Sequence, residues 1–123
     1  VLIEPRYGLG LVLGCVLANL ASPLGIIDIV VGSTATLLAV MFIEQVRKLL
    51  GCNKKALIIA SFGPVIFNAL LVGLELTYLF NTPFAVNALY VAAGEFAVVT
   101  LIGTVVVNSI MKNSLLIERL SFN

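Results

Sequence analysis

Residues Ala56 to Phe80 read ALIIASFGPVIFNALLVGLELTYLF, an apolar run that contains one amide, Asn68, and one carboxylate, Glu75. About 20 consecutive apolar residues are enough for a helix to cross the hydrocarbon core of a bilayer. This stretch is therefore predicted to be a transmembrane helix. An acid inside such a helix is unusual and needs an explanation.

The composition indicates that the whole chain, and not only this helix, lies in a lipid bilayer. The 123 residues are 61% hydrophobic and 11% charged, with a mean hydropathy of +1.18 and no His or Trp. A soluble domain of this size needs more polar surface, so the composition predicts an integral membrane protein. The net charge is only +1, and no basic face or aromatic array is evident. We therefore expect no nucleic-acid partner.

Helix breakers and charges divide the chain into four apolar segments, which predicts an all-α integral membrane fold: one helical bundle, residues 1–123, with four transmembrane helices. The first segment is short for a full crossing. The opening residues VLI read as the end of an earlier apolar segment, so we expect an N-terminal part of the protein to precede this chain. The predicted spans are Tyr7–Ala21, Ile26–Val46, Ala56–Phe80 and Phe84–Met111.

The cationic residues predict the orientation of the bundle. Lys and Arg occur near the two chain ends and in the stretch RKLLGCNKK, whereas the loops SPLG and NTPF contain none. Short loops rich in Lys and Arg stay on the cytoplasmic side of a membrane. Both ends of this chain are therefore expected to be cytoplasmic, with both hairpin tips outside the cell.

Small residues recur at helical spacing on the first two segments. Gly10 and Gly14 form a GxxxG pattern, and Ala35 and Ala39 repeat the spacing, which favours close approach of helix backbones. The glycines do not indicate dinucleotide binding, because no strand precedes them. Two distant cysteines without any His indicate neither a metal site nor a disulfide framework, so we expect no cofactor and no metal.

Polar side chains within the spans are the candidate functional residues. Charged groups in hydrocarbon are costly and normally face a bundle interior, a cavity or a ligand. At the predicted topology the polar groups gather toward the external side, so we expect a cavity that opens to the outside. Asn68 and Glu75 are two helical turns apart and share a face, as Asn87 and Glu95 nearly do. The candidates are Asn19, Asp28, Asn68, Glu75, Asn87 and Glu95.

Simpler roles compete for several of these residues. Asparagines in membrane helices often only hydrogen-bond to a neighbouring helix. Asp28 in the first turn of its helix is favourable there without any ligand. Glu75 and Glu95 are harder to explain in this way, which makes a ligand or counter-charge role the favoured interpretation for them.

The chemistry of these groups limits the ligand. A carboxylate accepts two parallel hydrogen bonds and so matches a planar N–H/NH₂ edge such as that of guanine, and asparagine donates and accepts beside it. A second carboxylate suits a cationic substituent on the same molecule. No Lys or Arg lies within the spans to hold a phosphate or carboxylate. A neutral or cationic aromatic heterocycle is therefore favoured over an anion.

Three blocks of sequence carry a resemblance to a known family. The blocks LGCVLANLASPLGIIDIVVGSTATLLA, PVIFNALLVGLELTYLF and FAVNALYVAAGE strongly resemble the QueT family in their order and spacing, over about Gly8 to Thr104. The family is a substrate-binding S-component proposed to take up queuosine precursors. The resemblance implies an importer of the energy-coupling factor (ECF) type, in which a small membrane subunit docks on a transmembrane scaffold with two ATPase subunits.

The resemblance also implies a six-helix fold, of which this chain supplies what look like helices three to six. The implied ligands are 7-deazaguanines, in the 7-cyano or the 7-aminomethyl form. The implied partners are this small molecule, membrane lipid, the scaffold subunit and the two ATPases. Matching the family's polar blocks onto this chain marks the same six residues as pocket candidates, with Glu75 and Glu95 the strongest.

Other functions remain open at this stage. The alternative is an autonomous secondary transporter in which Glu75 and Glu95 act as a proton relay. The protein itself is not expected to hydrolyse ATP, since no GxxxxGK[ST] sequence occurs. An enzyme is the weakest hypothesis, because His, a metal-ligand cluster and a nucleophile paired with a base are all absent from the sequence.

Overall fold

A computed structural model describes residues 1–120 of the chain, and this part is entirely helical, without a β-strand. Two of the helices are separated by a π-helical segment, Phe96–Gly103, which continues the helix before it. The α-helices are α1 (Tyr7–Asn19), α2 (Ile26–Leu50), α3 (Lys54–Phe80), α4 (Phe84–Glu95), α5 (Thr104–Met111) and α6 (Ser114–Leu120).

Three helical stretches are long and apolar enough to cross a membrane. They are α2, α3 and the continuous stretch Phe84–Met111, which has 28 residues and the bounds predicted for the last span. The fourth apolar helix, α1, has 13 residues and ends at Asn19 rather than at Ala21. The protein is therefore a multi-pass membrane protein with three candidate spans and one shorter apolar helix.

The basic stretch between the second and third spans is mostly helical, unlike the loop that the sequence predicts. Helix α2 extends through Arg47 to Leu50, and the connection to α3 is only residues 51–53. Gly51 adopts the positive φ of 78° that ends α2, and the Asn53 side chain accepts a hydrogen bond from the Ala56 amide at 2.9 Å. Cations are favourable in the last turn of a helix, so the charges prolong α2 instead of ending it.

The last span changes its helix type immediately after Glu95. The π-helical turns over Phe96–Gly103 have i→i+5 hydrogen bonds and return to α-helix at Thr104. Residues spaced by four drift steadily around an α-helix of 3.6 residues per turn, and a wider π-helix reduces that drift. Four positions at this spacing, from Glu95 to Val107, consequently remain on one side of the span.

Helix α3 lies at the centre of the arrangement. It packs against α2, α4, the π-helical segment and α5, whereas α1 packs against α2 alone among the other elements of the described chain. The Tyr7 hydroxyl donates a 2.8 Å hydrogen bond to the Leu120 carbonyl, which joins the start of α1 to the end of α6. Helix α1 is thus held by its packing against α2 and by the Tyr7–Leu120 hydrogen bond. A gap separates the rest of α1 from the last span, Phe84–Met111.

The interior is built from small residues, and the large apolar side chains face outward. Ala35 and Ala56 are completely buried, and the core cluster of Leu2, Val46, Ala56, Leu57 and Ala60 lies near the connection between α2 and α3. Many Leu, Ile and Val side chains are exposed, as expected where the surrounding solvent is lipid.

The two small-xxx-small patterns have different surroundings. Ala35 and Ala39 are buried, in agreement with the predicted close packing. Gly10 and Gly14, in contrast, line the gap, and a Cβ atom added at either glycine would meet no neighbouring atom within 4 Å. A stripe of small residues permits close approach of two helices. In the described chain, however, no helix is in contact with the Gly10–Gly14 side of α1.

A substitution of Gly73 tests the contact between α3 and α4. A Cβ atom at Gly73 would lie 3.2 Å from the Ala88 Cα and 3.3 Å from its Cβ. We expect Gly73→Val to lower the free energy of unfolding by about 1–3 kcal/mol, because overpacking forces the helices apart. Denaturant titration in mixed micelles measures it. Gly94→Val is the control, since a Cβ at Gly94 meets no atom within 4 Å; equal effects of both substitutions would contradict the tight contact.

Candidate ligand site

A cavity of about 790 Å³ fills the gap between α1 and the last span. Its wall is mainly apolar. On α1 it is lined by Gly10, Gly14 and Ala18, and on the last span by residues four positions apart: Glu95, Val99, Gly103 and Val107. Ligand pockets are typically apolar clefts of about 300–1,000 Å³ with few polar groups, and this cavity fits that description.

An amide and a carboxylate lie together in the wall of the cavity. The Asn68 side chain on α3 donates a hydrogen bond of 2.8 Å from Nδ2 to Glu95 Oε1 at the end of α4. Both residues are half-buried, and the bond uses one of the two carboxylate oxygens. Both residues were candidates from the sequence, and the structure brings them into direct contact.

The cavity spans different lengths of the helices that line it, and on α1 it reaches Ala18, one residue before the end of the helix. Its α2 and α3 lining runs from Thr36 to Ile43 and from Leu57 to Asn68, which is the half nearest the basic connection at residues 51–53. Asn68 and Glu95 lie at its deepest level, near the middle of the spans. On α2 and α3 the lining thus lies on the basic side of the bundle, and the predicted opening toward the uncharged hairpin tips stays a prediction.

Nearer the hairpin tips, α3 and α4 pack closely together. Gly73 lets the backbone of Ala88 approach closely. One turn farther out, the Asn87 amide donates hydrogen bonds of 3.0 Å to the Thr77 hydroxyl and 2.7 Å to the Thr82 hydroxyl. Asn87 thus fastens the α3–α4 connection and does not line the cavity. Thr77 and Thr82 were not singled out from the sequence, because a lone threonine near a helix end is a weak signal.

Asn19 and Asp28 connect α1 to α2 at the other hairpin. The Asn19 Nδ2 donates to the backbone carbonyl of Asp28 at 3.2 Å and to the Cys15 Sγ at 3.4 Å. Its amide lies over Gly32, where a Cβ would come within 2.5 Å of Nδ2. Asp28 occupies the first turn of α2, where an acid is favourable. Neither residue lines the cavity.

Glu75 is isolated from the cavity as well. The residue is only 5% exposed, and neither of its carboxylate oxygens has a hydrogen-bond partner among the described residues. An ionised acid at membrane depth costs about 2.5–3.5 kcal/mol, and here no described donor offsets that cost.

The six candidates therefore separate into three places. Asn68 and Glu95 form the polar end of the cavity, Glu75 and Asp28 lie on α3 and α2 away from it, and Asn19 and Asn87 tie neighbouring elements together. Of the two glutamates and two asparagines predicted to share a pocket, Asn68 and Glu95 line this cavity. Helical spacing correctly placed Asn68 and Glu75 on one face, but the face extends beyond the cavity.

One further polar contact follows α3 toward the basic end. The Ser61 hydroxyl lies 3.3 Å from the Thr100 hydroxyl, and both residues are buried between α3 and the π-helical segment. Ser61 precedes Asn68 by seven residues and lines the same cavity. This spacing could have identified it from the sequence.

The described residues contain no group of three or more Cys, Asp or Glu that could hold a metal ion.

Comparison with known proteins adds the identity of the family. No match was found among curated proteins or among solved structures. The family model described as QueT transporter matches residues 1–112, which include every helix down to α5 and all six candidate residues. This chain therefore belongs to the QueT transporter family.

Proposed function

We propose that this protein is the substrate-binding S-component of an ECF-type importer and that it captures a 7-deazaguanine, a precursor of queuosine. The observation that carries the proposal is the Asn68–Glu95 pair in the wall of an apolar cavity. Membership of a transporter family makes a transported ligand the natural occupant of such a cavity.

The pair has the hydrogen-bonding groups that a guanine-like edge requires. A carboxylate accepts two bonds from the ring N–H and the exocyclic NH₂, and an amide beside it both donates and accepts. The surrounding apolar wall suits the flat faces of a fused heterocycle. Glu95 is therefore the residue proposed to receive the heterocycle edge, with Asn68 holding the carboxylate in position.

Charge supports the same ligand class. No Lys or Arg is present among the residues that line the cavity. A phosphate or carboxylate ligand would therefore lack a counter-charge and would lie close to Glu95. A neutral 7-cyano or a cationic 7-aminomethyl group meets no such repulsion.

The proposed orientation places both ends of this chain in the cytoplasm. The connection at residues 51–53 is flanked by four cationic residues, whereas the hairpin tips have none. Asn68 then lies about 18 Å from the external end of α3, and the cavity extends from it toward the cytoplasm. In this proposal the four apolar helices correspond to helices three to six of a six-helix subunit, which docks on a scaffold with two ATPases.

Calorimetric titration of the purified protein in lipid nanodiscs tests the ligand class. We expect saturable binding of 7-aminomethyl-7-deazaguanine or 7-cyano-7-deazaguanine. Guanine and riboflavin serve as controls for the purine-like edge and for general aromatic binding. Absence of binding of either deazaguanine to protein with an unchanged helical spectrum would exclude the precursor assignment.

A second candidate function is favoured by one observation. Glu75 is buried and without a hydrogen-bond donor among the described residues, which is a common condition of acids that exchange a proton or an ion during transport. The chain would then work as a secondary transporter without ATPase partners. The energy source of uptake separates the two functions.

A further inference from the structure

Asp28 and Glu75 lie at the same height on neighbouring antiparallel helices. Asp28 lies 22 residues before the end of α2 at Leu50, and Glu75 lies 21 residues after the start of α3 at Lys54. The difference of one residue corresponds to about 1.5 Å along the helix axes. Since the connection between these helices is short, the two acids are level with each other.

Both acids also belong to the interior sides of their helices. Asp28 precedes the buried Ala35 by seven residues, and Glu75 follows the cavity-lining Asn68 by seven. Seven residues are close to two helical turns, so each acid continues a row that packs inside the bundle.

The half of the molecule that contains these acids has no basic side chain. All seven Lys and Arg residues of the sequence lie within the described part, and all are at the end of the bundle that includes residues 51–53 and the chain ends. Both oxygens of Glu75 are buried without a donor among the described residues. The pair therefore brings two acidic side chains to one level of the bundle with no basic side chain in that half.

We propose that Asp28 and Glu75 form a binding site for one positively charged group, either a monovalent metal ion or the primary ammonium group of a transported ligand. Such a group supplies the missing counter-charge and a partner for the orphaned Glu75 oxygens. Two carboxylates are fewer ligands than a dedicated divalent site gathers, which favours a single positive charge. The site is separate from the Asn68–Glu95 pair and does not depend on which heterocycle that pair binds.

Thermal unfolding of the purified protein in nanodiscs tests the site directly. The protein is compared in choline chloride, sodium chloride and methylammonium chloride at equal ionic strength. Because a group that binds only the folded state stabilises it, we expect Na⁺ or methylammonium to raise the Tm by about 5 °C or more relative to choline. We expect Glu75→Gln to remove this response. Glu118→Gln, an exposed acid on α6, is the matched control and should keep it.

The responses distinguish the two sources of charge. Stabilisation by Na⁺ assigns the site to an inorganic ion, and stabilisation by methylammonium alone assigns it to a ligand ammonium group. Asp28→Asn provides a second variant if Glu75→Gln does not fold, and it should weaken the same response. The proposal is overturned if neither cation raises the Tm above choline, or if the charge-removing variants respond as strongly as wild type.

Discussion

Glu95→Gln is expected to weaken 7-deazaguanine binding by about 10- to 100-fold. A hydrogen bond to a charged group contributes about 1.5–3 kcal/mol, and each 1.4 kcal/mol changes affinity tenfold. Glutamine offers one acceptor oxygen where the carboxylate offers two, so the ring N–H or the exocyclic NH₂ loses its partner. Calorimetry in nanodiscs measures the change.

The substitution is chosen to separate binding from folding. The amide oxygen of glutamine can still accept the Asn68 Nδ2–H that Glu95 Oε1 accepts at 2.8 Å, so the helix contact and the Tm should be nearly unchanged. Glu118→Gln, on the exposed face of α6, controls for loss of one negative charge. Unaltered affinity in Glu95→Gln, with binding intact in wild type, would reduce the pair to a link between α3 and α4.

The two deazaguanines extend the test to the second acid. Only the 7-aminomethyl form carries an ammonium group, so Glu75→Gln should weaken that form selectively if Glu75 meets the ligand. Equal affinities of wild type and Glu75→Gln for both forms would separate Glu75 from ligand recognition. The response of Glu95→Gln remains informative in either case.

The spans were predictable because hydropathy and length decide them. The second and third predicted segments lie within α2 and α3, and the last agrees with the observed span at both ends, Phe84 and Met111. The errors occur at charged ends: Arg47 and Lys48 are compatible with helix, so α2 continues to Leu50. Helix type within a span was not predictable, since FAVVTLIG has no composition that distinguishes π from α turns.

The site was predictable in its residue types and less so in its grouping. Asn68 and Glu95 were both identified, but their direct bond depends on how α4 is rotated against α3, which a single sequence does not encode locally. Periodicity places Asn68 and Glu75 on one face without showing where along the face a cavity ends. The close approach of Gly73 to Ala88 lies beyond Asn68 on α3, and neither of these two residues lines the cavity.

The two pairs of polar residues in this apolar bundle, Asn68–Glu95 and Asp28–Glu75, differ in what they can bind. The Asn68–Glu95 level offers donors and acceptors to a planar edge, and the Asp28–Glu75 level offers negative charge without a partner among the described residues. Neither level supplies a source of energy. Transport against a gradient therefore has to be driven either by ATPase partners or by an ion that these acids bind.

Uptake by reconstituted proteoliposomes is expected to depend completely on ATP and on the partner subunits. Vesicles with the protein, the scaffold and both ATPases should accumulate labelled 7-aminomethyl-7-deazaguanine when ATP is present on the cytoplasmic side. Inactivating the ATPases by substitution of their phosphate-binding Lys should reduce accumulation to background. The given sequence has no GxxxxGK[ST] motif, so we expect the ATP to be hydrolysed by the partner subunits.

The matched arm contains this protein alone and an imposed proton or Na⁺ gradient. We expect no accumulation there, because an S-component needs its partners to reorient. Accumulation in this arm, abolished by Glu75→Gln and indifferent to ATP, would reverse the assignment and make the chain a secondary transporter. Glu95→Gln serves as the control in both arms, since it should reduce uptake in whichever arm is active by weakening capture of the ligand.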